Sequence, residues 1–288
     1  MTQCTKLGLG TIIRIVVDRS DSEQATDLSE LAFAGINRIE ALMSAYRADS
    51  EVGILNQQGF CENVSNDTRE VIEKALHYWK VTGGAFDITA LPALRGTPEQ
   101  GSDGLRNVGR AGSQDIVIRG KEVRFRKEGL GINLGGIAKG YAVDAAVAIL
   151  RENGVGSGFV DAGGDIRVIG SRSDGSPWRI GLADPKSARR MTSVIEIADA
   201  AVATSATYRR GTADIIDART GKAADSVMRA TVVAHTAIDA DALATSVYVL
   251  GIDDGIRLID SLDDAAALVL SRDGRLVESR RWGELRES

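Results

Sequence analysis

The chain has 288 residues, 43% of them hydrophobic, which suffices for a large core in one elaborate domain or two fused lobes. Its 35 basic and 40 acidic residues leave a net charge of −5, and no basic run is dense enough to track a nucleic-acid backbone, so nucleic-acid binding is disfavoured. Cys4 and Cys61 form neither a CxxC pair nor a disulfide framework, and with His77 and His235 as the two histidines any zinc site needs carboxylate help.

The N-terminal MTQCTKLGLGTIIRIVVD alternates like a strand almost at once, with Thr11 to Val17 the clearest part. It lacks the charged start, apolar core and cleavage site of a signal peptide, and no run of about twenty apolar residues follows. The expectation is a cytoplasmic chain without a spanning segment. An exported or membrane-anchored protein trimmed of its leader would read the same way.

From Thr26 the positions Leu28, Leu31, Gly35, Ile39, Leu42 and Tyr46 recur at three and four residues, predicting a helix to about Arg47. Ser44, Tyr46, Ser50 and Glu51 read as its termination. A second helix fits Asp67 to Thr82, with Val71, Ile72, Ala75, Leu76 and Trp79 inward and His77 pointing away as a solvated side chain. Then come GGAFDITALPALRGT and a polar glycine-bearing segment to about Gln114. DIVIRGKEVRFR, Asp115 to Arg126, alternates around a Gly-Lys turn like a hairpin. A helix over about Lys139 to Asn153 is followed by strand-like runs, GFVDAGGDIRVIG, WRIGLADP, SVIEIADAAVATSA and ADIIDARTG. RATVVAH reads as a strand, Ala240 to Leu250 and Gly255 to Ser261 as helices, and AAALVLS with RLVES as closing strands. Hairpins with a few long helices predict an α+β fold with antiparallel-rich sheets and packed helices. No linker, solenoid repeat or domain boundary is visible.

Four short stretches carry chemistry. INLGGIAKGYAVDAA, Ile132 to Ala146, packs glycines and Lys139 just before a helix, which favours close approach by an anion. Its spacing fits neither a P-loop nor the dinucleotide fingerprint, and a tight strand-to-helix turn with an exposed lysine is the plain alternative. In IDADALATSVYVLG, Asp241 and Thr245 lie four apart on one helix face. A carboxylate and a hydroxyl aimed at one point suit Mg²⁺ with phosphates and water, whereas helix capping explains the same residues without a metal. GAFDIT offers a ligand wall, or a buried Phe86 beside a turn-forming Asp87. DAGGDIR sets Asp161 and Asp165 around a glycine pair, either as an acid/base pair or, more simply, as a turn closing a hairpin.

Taken in order, MSAYRADSEVGILN, TGGAFDITALPAL, INLGGIAKGYAVD, FVDAGGDIRVIG, ATSATYRRG, IIDARTG and DADALATSVYVLG resemble the ApbE family of FAD:protein FMN transferases, from Leu9 through Gly251. The resemblance implies one domain over residues 1–288, with two intimately joined sub-lobes. It implies an enzyme that takes FAD as substrate with Mg²⁺, transfers FMN to a Thr or Ser of a partner flavoprotein and releases AMP. Mn²⁺ would use the same ligands. By resemblance the metal ligands are Asp241, Thr245 and the carbonyl of Ala138. Lys139 stands near the phosphates, and Leu9, Tyr46, Ala85, Phe86, Asp87, Gly135 and Ile216 line the FAD site, Tyr46 as a stacking candidate.

The chain departs from the family pattern at several places. Leu9 stands where Met is frequent, Asn133 replaces an acid before GGIAKG, and TSATY puts Ala206 and Thr207 where glycine and an acid are usual. In DIIDARTG, Asp214 and Ala218 replace a histidine and a proline. That histidine is a plausible proton acceptor for the incoming hydroxyl. Asp214 takes over that catalytic role only if burial raises its pKa. The same site working on water would release FMN and AMP, and a flavin-binding protein without turnover is a third reading. No acceptor pattern of the D-x-x-[ST]-G-A-[ST] kind occurs in the chain, so an acceptor in trans is expected.

Overall fold

A computed structural model describes residues 1–19, 21–90, 112–184, 187–206 and 215–286. In chain order its elements are β1 (Thr2–Gly8), β2 (Thr11–Val17), α1 (Ser22–Met43), α2 (Glu51–Gln58), β3 (Phe60–Cys61), α3 (Asn66–Val81), β4 (Ile116–Arg119), β5 (Glu122–Phe125) and α4 (Ala138–Glu152). There follow β6 (Gly158–Ala162), β7 (Asp165–Ile169), β8 (Trp178–Asp184), β9 (Ser187–Ile197), β10 (Ala201–Ala206), β11 (Ile216–Asp217), β12 (Lys222–Ala223), β13 (Val227–Ala234), α5 (Ala237–Asp260), β14 (Ala266–Ser271) and β15 (Leu276–Glu278).

Eight strands form one sheet in the order β1-β2-β6-β7-β10-β13-β14-β15, antiparallel at every step. Both faces of its middle are covered. Ile13, Ile15 and Val17 of β2 join the core formed with α1, α4 and α5, whereas Val16 packs into a second cluster with Trp178, Ile180, Ile195 and Trp282 under the β8–β9 hairpin. This double cover explains why AAALVLS is apolar without a break: Ala267 and Val269 face the helices, Ala266 and Leu268 the hairpin. The expected α+β class with antiparallel sheets is what the chain adopts. Among the described residues no helix is long and apolar enough to cross a membrane.

The helix boundaries shift for local reasons. α1 begins at Ser22, because the Asp21 carboxylate accepts from the Glu23 and Gln24 amides, and ends at Met43, where Ser44 turns extended. Tyr46 therefore lies beyond the helix, 81% exposed, and Leu31 faces solvent. The sequence reading missed α2. Ser50 caps it through the Gly53 amide and also donates to the Ser44 carbonyl, and Gly59 closes it at φ 77°. In α3 the inward aromatic is Tyr78 instead of Trp79, since the Tyr78 hydroxyl reaches Asp239 at 2.6 Å. The two helices expected after Ala240 are one run broken at Gly251, whose φ of 82° and ψ of −169° favour a glycine.

The contact between α4 and α5 positions the site. A methyl group on Gly140 would stand 2.2 Å from the Ala237 carbonyl oxygen, so the helices meet through bare backbone. One turn on, the Asp144 carboxylate accepts from the Ala237 and Ile238 amides at 3.0 and 2.9 Å and receives Arg167 Nη1 at 2.6 Å. It thus satisfies the orphan donors of the first turn of α5. At the outer side, Asp67 of α3 takes both Arg38 of α1 and the Tyr141 hydroxyl of α4.

Gly140→Ala is expected to lower unfolding stability by about 3 kcal/mol, because backbone cannot yield as a side chain does. An unchanged urea midpoint would refute that packing. Arg38 and the Tyr141 hydroxyl hold the Asp67 pKa below the usual carboxylate range, against burial. The unfolded chain then binds more protons between the two pKa values, so the stabilisation is full above about pH 4 and is lost as pH falls through the lowered value. Asp67→Asn is expected to cost about 1 kcal/mol at pH 7. Denaturation curves of the two proteins should converge in acid, and a gap that persists would refute the pair.

Candidate functional site

The glycine segment before α4 is held by side chains that imitate a strand partner. Asn56 donates to the Ile132 carbonyl at 2.8 Å and accepts from the Ile132 amide at 2.7 Å, while the Asn133 amide reaches the Ile88 carbonyl at 2.8 Å. The Asn133 side-chain oxygen then accepts from the Gly135 amide at 2.8 Å. An aspartate would make the same bond, so the replacement leaves the turn intact and removes only a charge.

Gly136 marks where three elements converge. A methyl group there would lie 3.1 Å from Thr245 Oγ1 and 3.5 Å from Phe86 Cε2. Ala85 and Phe86 are both buried, and the Phe86 amide is fixed by the Thr82 hydroxyl at 3.0 Å. Thr245 Oγ1 stands 3.1 Å from the Ser205 hydroxyl of β10.

Asp241 is 5% exposed, and one of its oxygens accepts from the Gly140 amide at 3.0 Å. It faces Asp165, the first residue of β7, which is 1% exposed. Lys139 Nζ lies 3.0 Å from Asp165 Oδ2. That contact pairs a half-buried ammonium with a buried carboxylate. Burial raises the pKa of Asp165 against the pull of Lys139 and the Thr204 amide. Burial first, and the facing Asp165 second, push Asp241 well above the usual carboxylate range.

Two buried carboxylates thus share one ammonium. A cation fits this balance, since it would offset the excess negative charge and lower both shifts. Among the described residues no group of three or more His, Cys, Asp or Glu side chains is arranged to hold a metal. One carboxylate, one hydroxyl and the Ala138 carbonyl suit a hard cation that keeps water and substrate oxygens in its remaining positions.

The structure therefore draws Asp241, Thr245, Ala138, Lys139, Phe86 and the Gly135–Gly136 backbone into one neighbourhood. The other predicted site residues stand on different elements. Leu9 occupies the β1–β2 turn at φ 53°, its amide on Glu40 Oε2 at 3.1 Å. Tyr46 sits between α1 and α2, and Ile216 in β11 pairs with Ala223. Asp87 is engaged by the Thr89 amide and hydroxyl and by the Ser113 hydroxyl, at 2.8, 2.7 and 2.7 Å, tying together residues on either side of 91–111. Asp214 and Thr207 lie outside the described residues.

Sequence reasoning left two site residues unassigned. In DAGGDIR the turn is what forms, since Asp161 accepts from the Gly164 amide at 2.9 Å and from Arg14, while Asp165 stands apart from it beside Lys139 and Asp241. The alternation of β7 was the available signal. Ser205 was visible within TSATY, but nothing in the chain order pointed it at Thr245.

The family model of the ApbE family matches residues 9–269. The chain is 31% identical to a FAD:protein FMN transferase of Vibrio cholerae, over 84% of this chain and 79% of that protein. It is 28% identical to one of Haemophilus influenzae, over 92% and 84%. The crystal structure of the ApbE protein of Thermotoga maritima superposes with a TM-score of 0.89 at 29% identity, covering 99% of each chain. The flavin transferase ApbE of Vibrio cholerae gives 0.82 at 27%, covering 98% of each. The cluster thus belongs to a fold shared with known flavin transferases. The chain is a member of the ApbE family.

Asn56→Ala is expected to destabilise the protein by about 2 kcal/mol, since the Ile132 amide and carbonyl lose their partners together. Amide exchange at Ile132 should accelerate, and unaltered protection there would show that the ladder is held by other groups.

Proposed function

We propose that this chain transfers the FMN part of FAD to a Thr or Ser hydroxyl of a partner protein, releases AMP, and works with a divalent cation, Mg²⁺ or Mn²⁺. The observation that carries the reading is the Asp165–Lys139–Asp241 cluster beside the glycine segment, in a chain of the ApbE family. A pyrophosphate needs exposed backbone for close approach and positive charge where the P–O–P bridge breaks. Gly135 is exposed and a side chain on Gly136 would press on the Thr245 hydroxyl, while Lys139 supplies a mobile ammonium.

Asp241, Thr245 and the Ala138 carbonyl would hold the cation. When bound, it supplies charge neutralisation on the phosphoryl oxygens and the leaving AMP. The Ser205 and Thr245 hydroxyls share one hydrogen bond at 3.1 Å, and whichever of them donates, the Thr245 oxygen keeps a lone pair for a ligand. In the reaction the acceptor oxygen bonds to the FMN phosphorus, the bridging P–O bond breaks, and AMP departs with its electron pair. The hydroxyl proton goes to a base, for which Asp214 holds the position that the family gives to histidine.

That replacement favours a second reading, attack by water with FMN and AMP as products. The test is to incubate the protein with FAD and an acceptor domain bearing a reactive threonine, with and without Mg²⁺, and follow AMP release and in-gel flavin fluorescence together. Labelled acceptor with matching AMP is expected, with loss on chelation and a drop of about 100-fold in Asp241→Ala. AMP and FMN without label would establish hydrolysis. Full activity in Asp241→Ala would remove the metal assignment.

A further inference from the structure

We infer that Asp165 is a positioning residue for Lys139, holding its ammonium beside Asp241 at the place where the FAD pyrophosphate is to bind. The inference rests on the reading of this cleft as an FAD site. Its argument begins with the strand. Asp165 opens β7 opposite Ala162 of β6, and the next residue pairs with Val202 of β10, so its backbone is fixed from both sides. Its carboxylate faces that of Asp241. Its other charge contact is Lys139, whose side chain is 28% exposed against 2% for that of Asp165.

A lysine at the first turn of a helix carries its charge on a flexible four-carbon stem and tends to extend it into water. Nothing in that stem aims the ammonium inward. A carboxylate buried on a rigid strand does, because a desolvated charge attracts its counter-ion more strongly than an exposed one. The Arg14–Asp161 pair at the same turn makes the contrast plain, with the Arg14 side chain 43% exposed and that of its partner, which also binds the Gly164 amide, 17% exposed. Asp165 is thus the member of DAGGDIR that acts on the site, and it acts through Lys139.

Asp165→Asn keeps the side-chain volume and an acceptor oxygen while removing the charge that aims Lys139. FAD affinity at saturating Mg²⁺, read by flavin fluorescence, should fall on the order of tenfold in Asp165→Asn and in Lys139→Met. The double variant should bind no more weakly than Lys139→Met alone. Losses that multiply, or undiminished affinity in Asp165→Asn, would overturn the inference, since a merely structural aspartate would shift thermal midpoints alike in both Lys139 backgrounds. Absence of FAD binding by the unaltered protein would instead sink the proposed function, and this inference with it. Should Asp165→Asn fail to fold, the unaltered chain offers a check by NMR. A slowly exchanging ammonium resonance that disappears in Lys139→Met is expected, and rapid exchange with water would overturn the pairing.

Discussion

Asp144 joins α4 to the first turn of α5, and through that junction the register of every proposed ligand is set. Its two oxygens satisfy the Ala237 and Ile238 amides, which would otherwise be buried donors without partners. Gly140, four residues earlier on α4, lets the helices close onto backbone, and its own amide binds Asp241. The carboxylate is therefore delivered by helix geometry: with Asp144 and Gly140 in place, Asp241 and Thr245 fall on the inner face one turn further on. Arg167, buried beneath, neutralises Asp144 from the sheet and couples β7 to the same junction.

The same tight packing creates the electrostatic problem on which the site is built. Asp165 and Asp241 are brought out of water and toward each other, with Lys139 as the shared counter-charge. Such an arrangement is costly in isolation, and breaking one member of a buried pair leaves the others uncompensated. An arriving cation and polyphosphate change this balance in opposite senses, the first opposing the carboxylates and the second competing for the ammonium. Under the proposed function, binding of the two would be coupled by charge alone, without any requirement for movement of the backbone.

Much of this was legible in the chain before any coordinates. The strand-like runs and hairpins gave the class, and Asp241 and Thr245 share a helix face by simple periodicity. The misses have physical causes. Ser50 followed by Glu51 looks the same ending one helix as beginning the next, and only the bond from Ser50 to the Gly53 amide decides for α2. Tyr78 and Trp79 are one residue apart on α3, and a hydrogen bond from another helix, beyond any local pattern, selects Tyr78 for the interior. Asp165 was weighed with Asp161 as a pair because they flank the same glycines, yet alternation along β7 and a long-range partner separate their roles. Ser205 belongs to a strand whose register relative to α5 no single segment encodes.

The departures from the family pattern also differ in kind. Asn133 does by its amide oxygen what a carboxylate would do for the Gly135 amide, so the turn is preserved and the local charge becomes less negative. Near an anionic substrate that change reduces repulsion. A change from histidine to Asp214, outside the described residues, runs the other way in charge, since a carboxylate stands in place of an imidazole. A carboxylate is ordinarily a weaker base than an imidazole by roughly two and a half pKa units, and when ionised it repels phosphate, so the two substitutions change charge in opposite senses. Under the proposed function, the nucleotide site would be the better preserved half of the chemistry, and the choice of nucleophile, a protein hydroxyl or water, would turn on how the proton leaves.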